Sequence, residues 1–121
     1  MAAIRYIVSD IDQSVTFYRD RLGFALEMQA SGFAALRRGD LRLLLNKPGA
    51  GSAGKAGENP QPGGWSRFQI ETDDLDSFIQ ELRQQGATSF RGVIAEGAGG
   101  RQILLEDPSG NVIELFEPAP R

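Results

Sequence analysis

The chain has 121 residues, a length that suits one domain, and its 13 Lys and Arg against 16 Asp and Glu leave a formal charge of −3. Histidine and cysteine are both absent, which excludes disulfides, cysteine-bound zinc, iron–sulfur clusters, thiol nucleophiles and every Ser-His or Cys-His catalytic arrangement. A metal could be held only by oxygen ligands, and acid–base work would fall to Asp, Glu, Lys or Tyr.

In chain order, residues 2–8 alternate as a strand before the acidic cluster Ser9-Asp10-Ile11-Asp12. Ile11, Val15, Tyr18 and Leu22 then repeat at spacings of three and four, which predicts a helix over 11–22 with Asp10 as N-cap and Gly23 just past its end. Three strands follow, at 24–30, 33–38 and 41–46, with Gly39-Asp40 turning the last pair. Residues 49–64 are rich in Gly, Pro and Ala and read as a linker or loop.

The second half repeats the first. A strand at 66–72 precedes Asp73-Asp74-Leu75-Asp76, and a helix at 75–85 carries Leu75, Phe78, Ile79 and Leu82 on one face, with Gly86 after it. Strands at 88–95, 101–106 and 111–117 complete the pattern, with Ser109-Gly110 in the turn equivalent to Gly39-Asp40. The acidic clusters align at an offset of 64 and the closing strands at an offset of 70. Each half is therefore strand, helix and three strands, an α+β pattern of two βαβββ repeats (1–48 and 65–118) within one domain, 1–121. A sheet covered by a helix on one face leaves the other open, so two such units can form a curved mixed sheet around a ligand cavity.

Three stretches carry a resemblance: Val8-Ser9-Asp10-Ile11-Asp12-Gln13-Ser14 with Phe17-Tyr18-Arg19-Asp20 and Leu22-Gly23-Phe24; Asp73-Asp74-Leu75-Asp76; and Glu106-Asp107-Pro108-Ser109-Gly110-Asn111-Val112-Ile113-Glu114-Leu115. On these the sequence resembles the vicinal oxygen chelate superfamily, also called the glyoxalase, bleomycin-resistance and dioxygenase superfamily. The resemblance implies paired βαβββ units around a ligand cavity, commonly in a homodimer. It also implies, in metal-dependent members, up to four ligands from the first and last strands of each repeat. Those positions fall on Ala3, Leu44, Arg67 and Glu114. Only Glu114 could bind a metal, and one carboxylate is a poor cage. The expectation is no metal and no cofactor.

Strand alternation predicts the rest of the ligand face. Tyr6, Val8, Phe68 and Ile70 belong under the helices. Arg5, Arg42 and Asn46 in the first repeat, and Arg67, Gln69, Glu71, Glu114 and Phe116 in the second, belong on the opposite side, with Trp65 at its rim. The plainest reading of Arg67 and Glu114 is mutual pairing, since a buried charge needs a partner and Arg suits a carboxylate; contact with a ligand is compatible with it. Asp10 and Asp74 read as caps, Asp107 as a turn residue, and Trp65, Phe33 and Phe90 as core or edge aromatics unless they form a stacking rim.

The expected function is a metal-independent small-molecule binder of the bleomycin-resistance type, sequestering a drug or metabolite. The alternative is a lyase, isomerase or dioxygenase of the same superfamily using Glu114 as catalytic base or weak ligand. The acidic balance offers no footprint for nucleic acid or an anionic membrane. No apolar run approaches the roughly 18 residues of a membrane span and no signal peptide is evident, so the expected location is the cytoplasm.

Overall fold

The computed structural model describes residues 2–50, 60–86 and 88–120. Residues 51–59, the middle of the expected linker, lie outside it. The chain divides into two compact units: residues 1–64 with 108–111, and residues 65–107 with 112–121.

The first unit holds β1 (Ala3–Ile7), α1 (Ile11–Thr16), β2 (Ala25–Ala30), β3 (Phe33–Arg38) and β4 (Leu41–Asn46). The strands form one sheet in the order β1-β4-β3-β2, with β1 parallel to β4 and the other pairs antiparallel. The parallel pair needs a crossover, and the helix between β1 and β2 is part of it. Asp10 caps α1, its carboxylate accepting the Gln13 N–H at 2.9 Å.

The expected helix over 11–22 is α-helical only to Thr16; Phe17–Arg21 continue as a π-helical turn. Adjacent residues on an α-helix point about 100° apart, yet Phe17 and Tyr18 are both buried. They meet edge to face at 5.1 Å between ring centres, and Tyr18 meets Phe24 in the same way at 5.6 Å. The wider turn accommodates two consecutive large rings in one core. Gly23 then reverses the chain at φ +75°, a conformation that favours glycine.

The second unit repeats the plan with β5 (Phe68–Glu71), α2 (Leu75–Gln85), β6 (Ser89–Gly97), β7 (Gly100–Glu106) and β8 (Val112–Pro118). Its sheet order is β5-β8-β7-β6, again with one parallel pair, β5 with β8. The α2 bounds match the sequence expectation, while β5 is shorter and β6 longer than expected. Asp74 caps α2 by accepting the Ser77 N–H at 3.0 Å and the Ser77 hydroxyl at 2.8 Å. Leu75, Ile79 and Leu82 are buried, as are Phe68, Ile70, Ile113 and Leu115. The architecture is α+β, two βαβββ units each with its own four-stranded mixed sheet.

One edge strand of each sheet breaks register. In β2 the shift falls between Leu26 and Met28, and in β6 two extra residues sit between Arg91 and Ala95. Val93, within the second irregularity, is 85% exposed. Among the described residues no helix is long and apolar enough to cross a membrane.

Candidate functional site

The helix-free face of the second sheet follows from register. Gln69 is opposite Glu114, Glu114 opposite Leu104, and Leu104 opposite Arg91, so one row of side chains crosses all four strands. Glu114 is 8% exposed and holds the middle of this row. One of its carboxylate oxygens accepts Arg67 Nε at 3.0 Å, and the other accepts Gln69 Nε2 at 2.6 Å. The Arg67 side chain is one-third exposed, so the pair lies at the surface of the face, with its carboxylate sunk and its guanidinium reachable.

A second set sits beside it. Trp65, 65% exposed, stacks on the Arg91 guanidinium at 5.0 Å from the ring centre. Arg91 in turn donates to Glu106 at 3.2 Å. Arg91 and Glu106 were missed in the sequence, because β6 has no clean alternation and a glycine at 92 interrupts it. Trp65 precedes β5, where no strand period fixes its direction. Toward the other end of the face, a small pocket of about 250 Å³ includes Phe116, Gln102 and Gly100 in its lining. Glu71 is exposed and pairs in register with Phe116.

On the first sheet, Ala3 is opposite Arg42, Arg5 opposite Leu44, and Ile7 opposite Asn46. Arg5 donates through Nη1 to the Asn46 side-chain oxygen, and Asn46 is 4% exposed. Arg42 donates to Glu27 at 3.2 Å, and Arg37 donates to the other oxygen of the same carboxylate at 3.1 Å. Chiefly through the Arg37 hydrogen bond, with Arg42 adding to it, the Glu27 carboxyl is held below the usual carboxylate range. Glu27 and Arg37 were also missed: strict alternation would set Leu26 and Met28 on one face, whereas the register shift pairs Leu26 with Leu36 and Met28 with Ala35.

The first unit therefore brings Arg5 to Asn46 but leaves Arg42 apart from them on Glu27, and the second brings Arg67 and Gln69 to Glu114, with Trp65 on Arg91 in a second set. A separate groove of about 550 Å³ runs along α2 past Asp76, Ile79, Arg83, Ile94 and Ile103, and none of the expected ligand residues lines it.

The four positions that the resemblance assigns to a metal do not fit one. Ala3, Leu44 and Arg67 offer no donor oxygen, and both oxygens of Glu114 are occupied by N–H donors. Among the described residues no three acidic side chains converge as a metal cage.

Comparison with known proteins agrees with this architecture. The chain is 31% identical over 110 residues to the glutathione transferase FosA of Serratia marcescens, covering 89% of this chain and 73% of that protein. It is 28% identical over 122 aligned positions to the bleomycin resistance protein of Geobacillus stearothermophilus, covering 91% and 90%. Among solved structures, the lactoylglutathione lyase of Agrobacterium tumefaciens superposes with a TM-score of 0.79 at 21% identity, covering 97% of this chain and 92% of that one. The bleomycin-binding protein of Streptomyces verticillus, solved with copper(II)-bleomycin, gives 0.66 at 23% identity, covering 98% and 95%. At such identities the structural matches speak for the fold. The sequence model that matches, over residues 1–115, is that of the Glyoxalase/Bleomycin resistance protein/Dioxygenase superfamily, and the chain belongs to that superfamily.

Proposed function

We propose that the protein is a metal-independent binder of small molecules, sequestering a drug or metabolite on the helix-free faces of its sheets, as a single domain over 1–121. The observation that carries this reading is the pairing of Glu114. Arg67 and Gln69 hold both carboxylate oxygens, so the one family metal position that retains a donor is spent on ion pairing. Trp65 stacked on Arg91 offers an exposed aromatic plane, and Arg5, Arg42, Asn46, Arg67, Gln69, Glu71, Glu114 and Phe116 supply polar and apolar contacts. Similarity to bleomycin resistance proteins supports sequestration, and with it a role in antibiotic resistance. The same reading has the protein act as a cytoplasmic homodimer.

The experiment is a thermal-shift panel of aromatic drugs and metabolites on the purified protein, repeated on Arg67→Ala, together with elemental analysis. Stabilisation by at least one compound, reduced in the variant, with metal far below one ion per chain, is the expected result. Stoichiometric metal, or no shift with any compound, overturns it.

The alternative is an enzyme, favoured by the 31% identity to a protein named a glutathione transferase. Turnover of a glutathione adduct or a catechol that disappears in Glu114→Gln would establish that alternative in place of sequestration.

A further inference from the structure

The groove along α2 lies wholly within the second unit and apart from the ligand faces. Its floor is buried Ile79 and Ile103. Its outer wall is Val93 and Ile94, raised by the two residues that β6 inserts between Arg91 and Ala95. An exposed valine alone needs no explanation, but Val93 stands beside an open groove of about 550 Å³ with an apolar floor.

The two ends of the groove carry opposite charge. Asp76 and Arg83 lie seven residues apart on one face of α2, roughly 10 Å along the helix. Strand β6 runs the other way beside it: the Arg83 guanidinium sits over the Phe90 ring at 5.3 Å, whereas Asp76 and Glu96 meet at Arg101. There three carboxylates, of Asp76, Glu96 and Glu117, share one guanidinium at 3.0, 3.5 and 3.6 Å, which leaves two negative charges over. Glu96 is the most exposed of the three, at 76%. At the other end Arg83 meets no carboxylate among the described residues.

We propose that this groove is the contact between two copies of the chain, related by a two-fold axis through Val93. The inference rests on the homodimer part of the proposed function and gives it a surface. Val93 lies midway in β6 between Phe90, beside Arg83, and Glu96, beside Asp76. An axis normal to the strand there exchanges the two ends of the groove. It brings Arg83 to the partner's Glu96, and Glu96 to the partner's Arg83. The valines meet at the axis and cover the Ile79 and Ile103 floors. One patch that complements itself in this way is what a closed two-fold contact requires, and it leaves no surface for a third copy. The contact runs through side chains, because the backbone of β6 is out of step at Val93.

The test is sedimentation of the intact protein from about 1 µM to about 1 mM. A monomer–dimer equilibrium with a micromolar constant is expected. Val93→Asp should weaken it about ten-fold or more, by placing a charge at the apolar centre. Arg83→Glu and Glu96→Arg should each weaken it about ten-fold, since each sets like charges against one another twice. Both reversals in one chain should restore association, and so should an equimolar mixture of the two single variants. That rescue in the mixture cannot come from a folding defect, and circular dichroism checks each variant. A dimer indifferent to Val93→Asp, or reversals that no mixture rescues, overturns the inference and leaves the homodimer reading standing. A monomer at every concentration overturns both. A monomer stabilised by an apolar compound of the thermal-shift panel, with the effect lost in Val93→Asp, gives the groove to a ligand instead and overturns the inference.

Discussion

The side-chain amide of Asn111 donates to the backbone carbonyl of Ile7 at 2.8 Å, linking residues 104 positions apart in sequence. The oxygen of the same amide accepts the Gly63 N–H at 2.9 Å, and Ser109 Oγ accepts the Ser9 N–H at 2.8 Å. The Asp107-Pro108-Ser109-Gly110-Asn111 stretch on which the resemblance rests thus builds its last four residues into the first unit. Asn111 is buried, and its removal strands a carbonyl and an amide. Asn111→Ala should lower the unfolding free energy by on the order of 2 kcal/mol. Asn111→Asp should also destabilise, because its carboxylate cannot donate to Ile7. Urea midpoints unchanged in both variants would show the bonds to be dispensable.

The Arg67–Glu114 pair yields a second prediction. Arg67→Ala leaves a sunken carboxylate with Gln69 as its remaining donor, and should cost about 1–2 kcal/mol, discounted because the arginine is one-third exposed. Replacing both partners, Arg67→Met with Glu114→Leu, should recover most of the loss, since no buried charge then lacks a partner. A double-mutant cycle in urea measures the coupling, and strict additivity would sink the idea.

Gly100 closes the β6–β7 hairpin at φ +148°, and a Cβ there would lie 2.1 Å from the Glu117 carbonyl oxygen. Gly100→Ala should therefore destabilise by about 2–4 kcal/mol. Gly97→Ala, with nothing within 4 Å of its Cβ, is the control and should change stability little. Similar thermal midpoints for the two variants would count against the steric account.

Acid unfolding should report the α2 cap. The Ser77 backbone N–H, and then its hydroxyl, hold the Asp74 carboxyl below the usual carboxylate range. A carboxyl with a lowered folded-state value contributes stability above its unfolded value, and that contribution fades as pH falls through the folded one. Asp74→Asn keeps a capping oxygen but loses the titration. Its thermal midpoint should fall less steeply than that of the unaltered chain below about pH 4. Parallel pH profiles would refute this.

Much of the architecture was legible because periodicity reports burial. Spacings of three and four placed both helices, Asp10 and Asp74 marked their starts, and the internal repeat gave the strand count. Strand parity also placed Arg67, Gln69 and Glu114 on one face, and the pairing of Arg67 with Glu114 followed from the need to neutralise a sunken carboxylate. Parity failed where strands are irregular. Glu27 lies at a register shift, so its contacts with Arg37 and Arg42 could not be read from alternation. Arg91 lies beside the Gly92 interruption, and Trp65 precedes its strand. The π-helical turn was hidden for a different reason: two adjacent aromatics fit either an amphipathic helix with one ring outside or a widened turn with both inside, and only packing chooses.

The irregularities in β2 and β6 bear on how the chain behaves at high concentration. Each is one of the two edge strands of its sheet, where an unbroken row of amides and carbonyls would recruit the edge of another molecule. Each row is instead interrupted, at Glu27 and at Gly92–Ile94, so these two edges, unlike β1 and β5 at the opposite sides of the sheets, offer no continuous template for strand addition. Val93 can remain exposed there without seeding a growing sheet, because the backbone around it is out of step with any partner strand. The bulges make these two edges poor partners for a further strand.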